Sequence, residues 1–362
     1  MTNPFCKAIA PDWEGLVACI ERRGTPRRVH YIELFLDGEV QDAICGRFSV
    51  LKGLDRADPY FELKRQVALQ SFLGYDFVRM GLENMEMPLN YDMAKDTAEL
   101  DRDGGRSFMN EHRGPITNWA EFEAYPWPDP ETATTRALEW YERNLPDNMC
   151  VIGSGGFAHF AEYLTWLMGY ETFCLALYEQ RDLVEAISER LVQMYLVAID
   201  RILEFDRVKI IWGSDDMGFR NGLLMSPDDM RALVLRGHKL MAEKAHAAGR
   251  PYLLHSCGNL ADIMEDLIED VGIDAKHSFE DVIEDVCERK RTYGDRIALL
   301  GGIDVDFMCR ADENAVRRRV RETLEVCMPG GGYCLGTGNS VANYIPVDNY
   351  LAMLDEGRSF ST

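Results

Sequence analysis

His255 and Cys257 stand two residues apart at the end of an apolar run, Pro251-Tyr-Leu-Leu-His-Ser-Cys-Gly-Asn259. On an extended segment, side chains two apart point to the same side. An imidazole and a thiol therefore meet at the mouth of a strand, and nitrogen with sulfur is a ligand set that zinc favours. A metal needs a third protein ligand. The best candidate is Cys334, in a second short apolar run that ends in glycines, Gly330-Gly-Gly-Tyr-Cys-Leu-Gly-Thr-Gly338. A lone His-x-Cys pair also fits a packing role, because cysteine is often a small buried hydrophobe. The organisation of the rest of the chain decides between the two.

Eight strand-like runs fall at 28–35, 75–80, 150–156, 208–216, 251–257, 273–279, 297–304 and 332–336. Helical patterns separate them, among them 63–73, 133–144, 161–170, 183–205, 226–248, 282–291 and 313–327, with a last one at 347–355. Ser226-Pro-Asp-Asp is a helix start, with serine at the cap and proline in the first turn. Alternation of this kind over 362 residues predicts an α/β TIM (β/α)8 barrel in one domain, 1–362. A helix at 13–22 precedes it as an N-terminal helical extension. A long insertion, 82–149, follows the second strand and has the length of a lid. A turn at Asp103-Gly-Gly-Arg106 predicts a hairpin around Arg106 inside it.

In such a barrel, chemistry sits at the C-terminal ends of the strands. His255, Cys257, Asp215, Asp216, His277, Asp304 and Cys334 all fall there. The fifth and eighth strands face each other across the mouth, so His255, Cys257 and Cys334 are expected to converge on one ion.

Composition narrows the function. A formal net charge of -22 disfavours nucleic acid, whose phosphates call for clustered lysine and arginine, and anionic membrane surfaces. No run of 18 or more apolar residues offers a membrane span. The N-terminus has no basic stretch followed by an apolar core. Ten scattered cysteines without a short framework predict reduced thiols and a cytoplasmic protein.

The chain resembles the uroporphyrinogen decarboxylase superfamily, in its methyltransferase branch. The resemblance is carried by Tyr125-Pro-Trp-Pro-Asp-Pro130, Leu254-His-Ser-Cys-Gly-Asn259, Leu300-Gly-Gly-Ile-Asp304, Gly331-Gly-Tyr-Cys-Leu-Gly-Thr-Gly-Asn-Ser340 and Asn343-Tyr-Ile-Pro346. It implies zinc held by His255, Cys257 and Cys334, as in methylcobamide:coenzyme M methyltransferases. It also implies methyl exchange between a small substrate and a corrinoid (cobalamin). This chain has no Asp-x-His-x-x-Gly signature, so the corrinoid is expected on a small corrinoid partner protein. The true decarboxylases hold tetrapyrrole propionates with an arginine-rich segment after the first strand. Here that stretch is Glu33-Leu-Phe-Leu-Asp-Gly-Glu-Val40, without arginine, and their Gly-His-Gly is replaced by Gly336-Thr-Gly338. An acidic mouth repels a polycarboxylate.

Within this frame Asp215, Asp216 and His277 are the expected catalytic residues, with His277 orienting a metal ligand. Asp215 and Asp216 equally suit helix capping. Glu33, His159, Tyr163, Thr337 and Asn339 are expected to line the substrate pocket, Glu33 also being a candidate fourth ligand. The rim cations Arg79, Arg220 and Lys276 read as structural or surface charges. Paired acids favour a neutral or hydroxyl-bearing substrate, which points to demethylation of an aromatic methyl ether or a similar donor; a thiol acceptor is the reverse case. A lyase or decarboxylase acting on another small substrate is the alternative reading. The sequence leaves oligomeric state open, a homodimer included.

Overall fold

A computed structural model describes residues 4–360 apart from Glu99, Asp101, Asp103, Gly104 and Gly156. Seven parallel strands form its central sheet: β1 (Phe77–Met80), β2 (Cys150–Gly153), β3 (Val208–Ser214), β4 (Tyr252–His255), β5 (Ala275–His277), β6 (Ala298–Leu300) and β7 (Tyr333–Cys334). They lie side by side in chain order. Parallel neighbours need crossovers long enough for a helix, and the helical segments between these runs supply them. Strands covered on both faces read as nearly continuous apolar runs; β2 and β4 are buried at every residue.

The eighth stave is the segment around 30–36. It runs parallel to the chain leaving β7 through the isolated bridges Tyr31↔Leu335 and Leu36↔Val341. The strand expected at 28–35 thus forms as bridges rather than a ladder, for a local reason. The backbone N–H of Thr337 donates to the Glu33 carboxylate at 2.7 Å instead of to a strand carbonyl. Gly336 lets the two backbones touch there, since a Cβ at that position would stand 1.9 Å from the Ile32 carbonyl oxygen. The architecture is an α/β TIM barrel.

The segment after β1 builds its own antiparallel pair, Tyr91–Ala94 against Arg106–Met109. Arg106 opens the return strand, where a hairpin was expected; Asp103 and Gly104 of the turn signal lie outside the described residues. Asp96 ties this pair to the barrel, pairing with Arg106 at 3.0 Å and accepting from the Asn343 amide at 2.6 Å. The Ser226 cap forms as read, accepting from the Asp229 amide. The following helix is not uniform, because residues Arg231–Leu235 make a wider π-type turn before Arg236–Ala247. Among the described residues no helix is long and apolar enough to cross a membrane.

Candidate metal centre and barrel mouth

Strand β4 ends at His255, and Cys257 lies just beyond it in a loop. The loop turns at Gly258, whose φ of +88° and 2.1 Å approach of a would-be Cβ to the Gly218 carbonyl leave room for glycine alone. The turn folds the Cys257 amide back onto Asp216, to which it donates at 2.9 Å. The result is a compact trio. His255 Nε2 lies 3.4 Å from Asp216 Oδ1 and 3.4 Å from Cys257 Sγ. One ligand atom from each residue lies within 4.8 Å of the others. Two ligands on a tetrahedral zinc, at the usual bond lengths, stand roughly 3.3–3.6 Å apart. The N, O and S donors of this trio could together hold a metal ion.

The surroundings suit that use. Burial keeps His255 below its ordinary pKa, although Asp216 pulls the other way, so the imidazole is neutral and free to ligate. Burial and the Asp216 carboxylate push the Cys257 thiol well up. A thiolate there therefore needs a cation beside it. Burial alone would raise Asp216, but hydrogen bonds and charge from His255 and the Cys257 amide outweigh it and hold the acid at about 2. Behind His255 stands His277, with the two Nδ1 atoms 2.7 Å apart. If His255 ligates through Nε2, its proton sits on Nδ1 and is donated to His277. His277 then carries its own proton on Nε2, a buried nitrogen without a partner among the described groups. The Cys257 sulfur receives the Asn339 amide at 3.1 Å and the Ser278 hydroxyl at 3.5 Å. Ser278 is held at a left-handed φ of 84°, a conformation costly for a residue with a Cβ. Lys276 grips its carbonyl at 2.6 Å and pairs with Glu284 at 2.7 Å.

A cavity of about 840 Å³ is bordered by Glu33, Arg79, Ser154 and Tyr163 and by segment 80–87, and none of the trio lines it. Residues 109–360 match the family model for uroporphyrinogen decarboxylase (URO-D), more than two-thirds of the chain. The chain belongs to the uroporphyrinogen decarboxylase family. Its fold is similar to that of a methyltransferase from Methanosarcina mazei, with a TM-score of 0.67 at 17% identity over 96% of this chain and 98% of that one. It is also similar to a putative vitamin-B12 independent methionine synthase from Listeria monocytogenes, with a TM-score of 0.51 at 13% identity over 92% and 98% of the two chains. No curated protein sequence matches it.

Of the three residues expected to hold a metal, His255 and Cys257 cluster with Asp216 and not with Cys334. Cys334 does not reach the trio; its thiol faces Cys19 of the N-terminal helix Trp13–Ile20, near Asp76 and Arg28. The reason is reach. The residue of this segment that touches Cys257 is Asn339, five residues beyond Cys334. Asp216 is the third residue that lies with His255 and Cys257. Asp215 is also reassigned. It accepts from the amides of Ala161 and Glu162, each at 2.9 Å, and from His238 Nε2 at 2.9 Å, so it anchors the start of the helix Phe160–Met168. Asp304 caps the helix Val305–Arg310 through the Phe307 amide. His159 is tied to Glu162 at 2.5 Å and stacks edge-on against Tyr163, which faces the cavity. Ser278 was missed; nothing in its spacing marks a left-handed serine.

Glu33 and Thr337 sit together, the Thr337 hydroxyl 2.6 Å from Glu33. Burial lifts Glu33 from 4.5 to about 8, against the two Thr337 hydrogen bonds. Between those values the folded protein holds a proton that the unfolded chain releases, so stability falls as pH rises through the window. Glu33→Gln imitates the protonated acid and removes this dependence. Urea unfolding from pH 5 to 8 will show wild type losing up to about 1.4 kcal/mol per pH unit relative to the variant; parallel curves would refute a protonated Glu33.

Proposed function

We propose that this protein is a zinc-dependent methyltransferase that moves a methyl group between a small substrate and the cobalt of a partner corrinoid protein. The observation that carries the reading is the Asp216–His255–Cys257 trio, with N···O and N···S separations of 3.4 Å at the C-terminal rim of the barrel. Family membership and the fold shared with the Methanosarcina mazei methyltransferase support it. When bound, zinc would supply a Lewis acid at its open fourth position, suited to a thiol or to the oxygen of a methyl ether.

The protein's own residues prepare that position. His277 fixes the tautomer of His255, Asn339 and Ser278 hold the Cys257 sulfur in place, and Lys276 holds Ser278. Glu33, kept protonated at neutral pH, is a hydrogen-bond donor at the cavity wall rather than a charge. Methyl transfer in either direction is a displacement at carbon. It needs the substrate heteroatom at the metal end and a corrinoid facing it through the open mouth, which is why a separate small corrinoid protein is the partner in this reading.

The test follows the cobalt spectrum. Reduced cob(I)alamin with an O-methylated aromatic, and methylcobalamin with a thiol, are each incubated with the zinc-loaded protein. Conversion of the corrinoid in either arm, lost in His255→Ala, is the expected result. Retention of full conversion in His255→Ala, or no conversion in either arm with a panel of ethers and thiols, contradicts the reading and favours a lyase.

A further inference from the structure

All ten cysteines are free, and one pair of them stands in contact within reach of solvent. The Cys327 thiol donates to Cys287 Sγ at 3.9 Å. Cys287 lies in the first turn of the helix Val286–Tyr293. Cys327 is the last residue of the helix Glu313–Cys327, which packs beside it. Cys327 is fully buried, whereas Cys287 is partly exposed. Cys19 and Cys334 also share a hydrogen bond, but both are sealed in the core, where no dissolved reagent arrives.

The two thiols are not equivalent. The hydrogen bond from Cys327 holds Cys287 below the ordinary thiol range, with help from Thr323 and Arg291 and against burial and Asp285. Its place at a helix start adds the positive end of the dipole, which favours a thiolate. The same hydrogen bond, with burial, pushes Cys327 well up, against the charge of Lys290. Lys290 lies one turn on from Cys287 and is fixed by the Gly331 and Gly332 carbonyls at 2.5 and 3.2 Å. An accessible sulfur of low pKa with a protonated sulfur directly behind it is the order of parts that thiol–disulfide exchange needs. The outer one attacks and the inner one resolves.

We propose that Cys287 and Cys327 form a redox-active dithiol, which low-molecular-weight disulfides oxidise reversibly to an intramolecular disulfide that staples the two helices together. The Cys287 thiolate attacks one sulfur of the oxidant, forming a mixed disulfide and releasing one thiolate. Cys327 gives up its proton to that thiolate and attacks the Cys287 sulfur, expelling the other half of the oxidant. Two electrons pass from the protein to the oxidant, which leaves as one thiol and one thiolate. The sulfurs close from 3.9 Å to a bond length of about 2.05 Å. A thiol reductant reverses both steps. Neither cysteine belongs to the Asp216–His255–Cys257 trio, so the proposal stands apart from the methyl-transfer reading.

The test incubates the reduced, full-length protein with glutathione disulfide under anaerobic conditions. Remaining thiols are then alkylated in denaturant, and tryptic peptides are mapped by mass spectrometry without reduction. A peptide pair bridged through Cys287 and Cys327, lighter by two hydrogens than its separate halves and released by dithiothreitol, is the expected product. Cys334 falls on the same tryptic peptide as Cys327, so fragmentation of the pair assigns the bridge. Cys327→Ser will stop at a glutathione adduct on Cys287, at a level at least about tenfold above wild type, because the resolving sulfur is gone. Cys287→Ser will leave Cys327 unmodified, and Cys334→Ser will form the bridge as wild type does. Should a variant fail to fold, wild type alone decides, since the bridge will form at least about tenfold faster in native protein than in urea. Absence of the bridge in wild type, a Cys287 adduct that persists there, a bridge to Cys334, or a bridge that forms only in urea overturns the proposal.

Discussion

Asp215→Ala will destabilise the fold by about 3–5 kcal/mol, the order expected when three buried donors lose their acceptor at about 1–3 kcal/mol each. Asp215 is fully buried, and its two oxygens take the amides that open the helix Phe160–Met168 and the His238 ring. His238 in turn contacts the Tyr252 hydroxyl at 2.8 Å, so the network reaches into β4, the strand that ends at His255. Truncation leaves three donors without an acceptor in the interior, and the helix start loses the negative charge its dipole favours. Urea unfolding monitored by circular dichroism measures the loss. Metal content per folded chain will stay at the wild-type level, because Asp215 does not face the trio. A variant as stable as wild type but without metal would return Asp215 to the site.

The second large effect is on activity. Cys257→Ala removes the sulfur proposed as a ligand and keeps the hydrogen bond from the Cys257 amide to Asp216, while the Asn339 amide and the Ser278 hydroxyl lose the sulfur as acceptor. Methyl transfer will drop by at least about a thousandfold, because a Lewis acid contributes several kcal/mol to such a displacement. Stability will fall by only about 1–2 kcal/mol: two donors lose the sulfur as acceptor, but alanine keeps the backbone of the loop and Gly258 keeps its turn. Initial rates with saturating corrinoid check this. A loss below about tenfold would mean that the sulfur is only a wall of the mouth.

Much of this was legible in the chain. The alternation of apolar runs with helical patterns gives the barrel, because both faces of each strand must be covered. His255 and Cys257 were visible from their spacing at a strand end, and Asn339 and Thr337 from a glycine-rich segment that must pass the mouth. What local reading could not supply was how far each segment climbs. Cys334 has the right chemistry but stops short, against Cys19 at the N-terminal helix, while Asn339 five residues later arrives at the sulfur. Asp215 and Asp216 are neighbours in sequence with opposite fates, because consecutive side chains leaving β3 point to different sides. One turns inward to a helix start and the other to the open mouth.

The most direct test of the central claim is the zinc content of reduced, purified protein, measured by mass spectrometry for wild type and for Asp216→Ala, Cys257→Ala and Cys334→Ala. The Asp216–His255–Cys257 centre predicts about one zinc per chain in wild type and in Cys334→Ala, and strong depletion in the other two. Metal-free wild type, or zinc lost from Cys334→Ala but kept in Asp216→Ala, would contradict it.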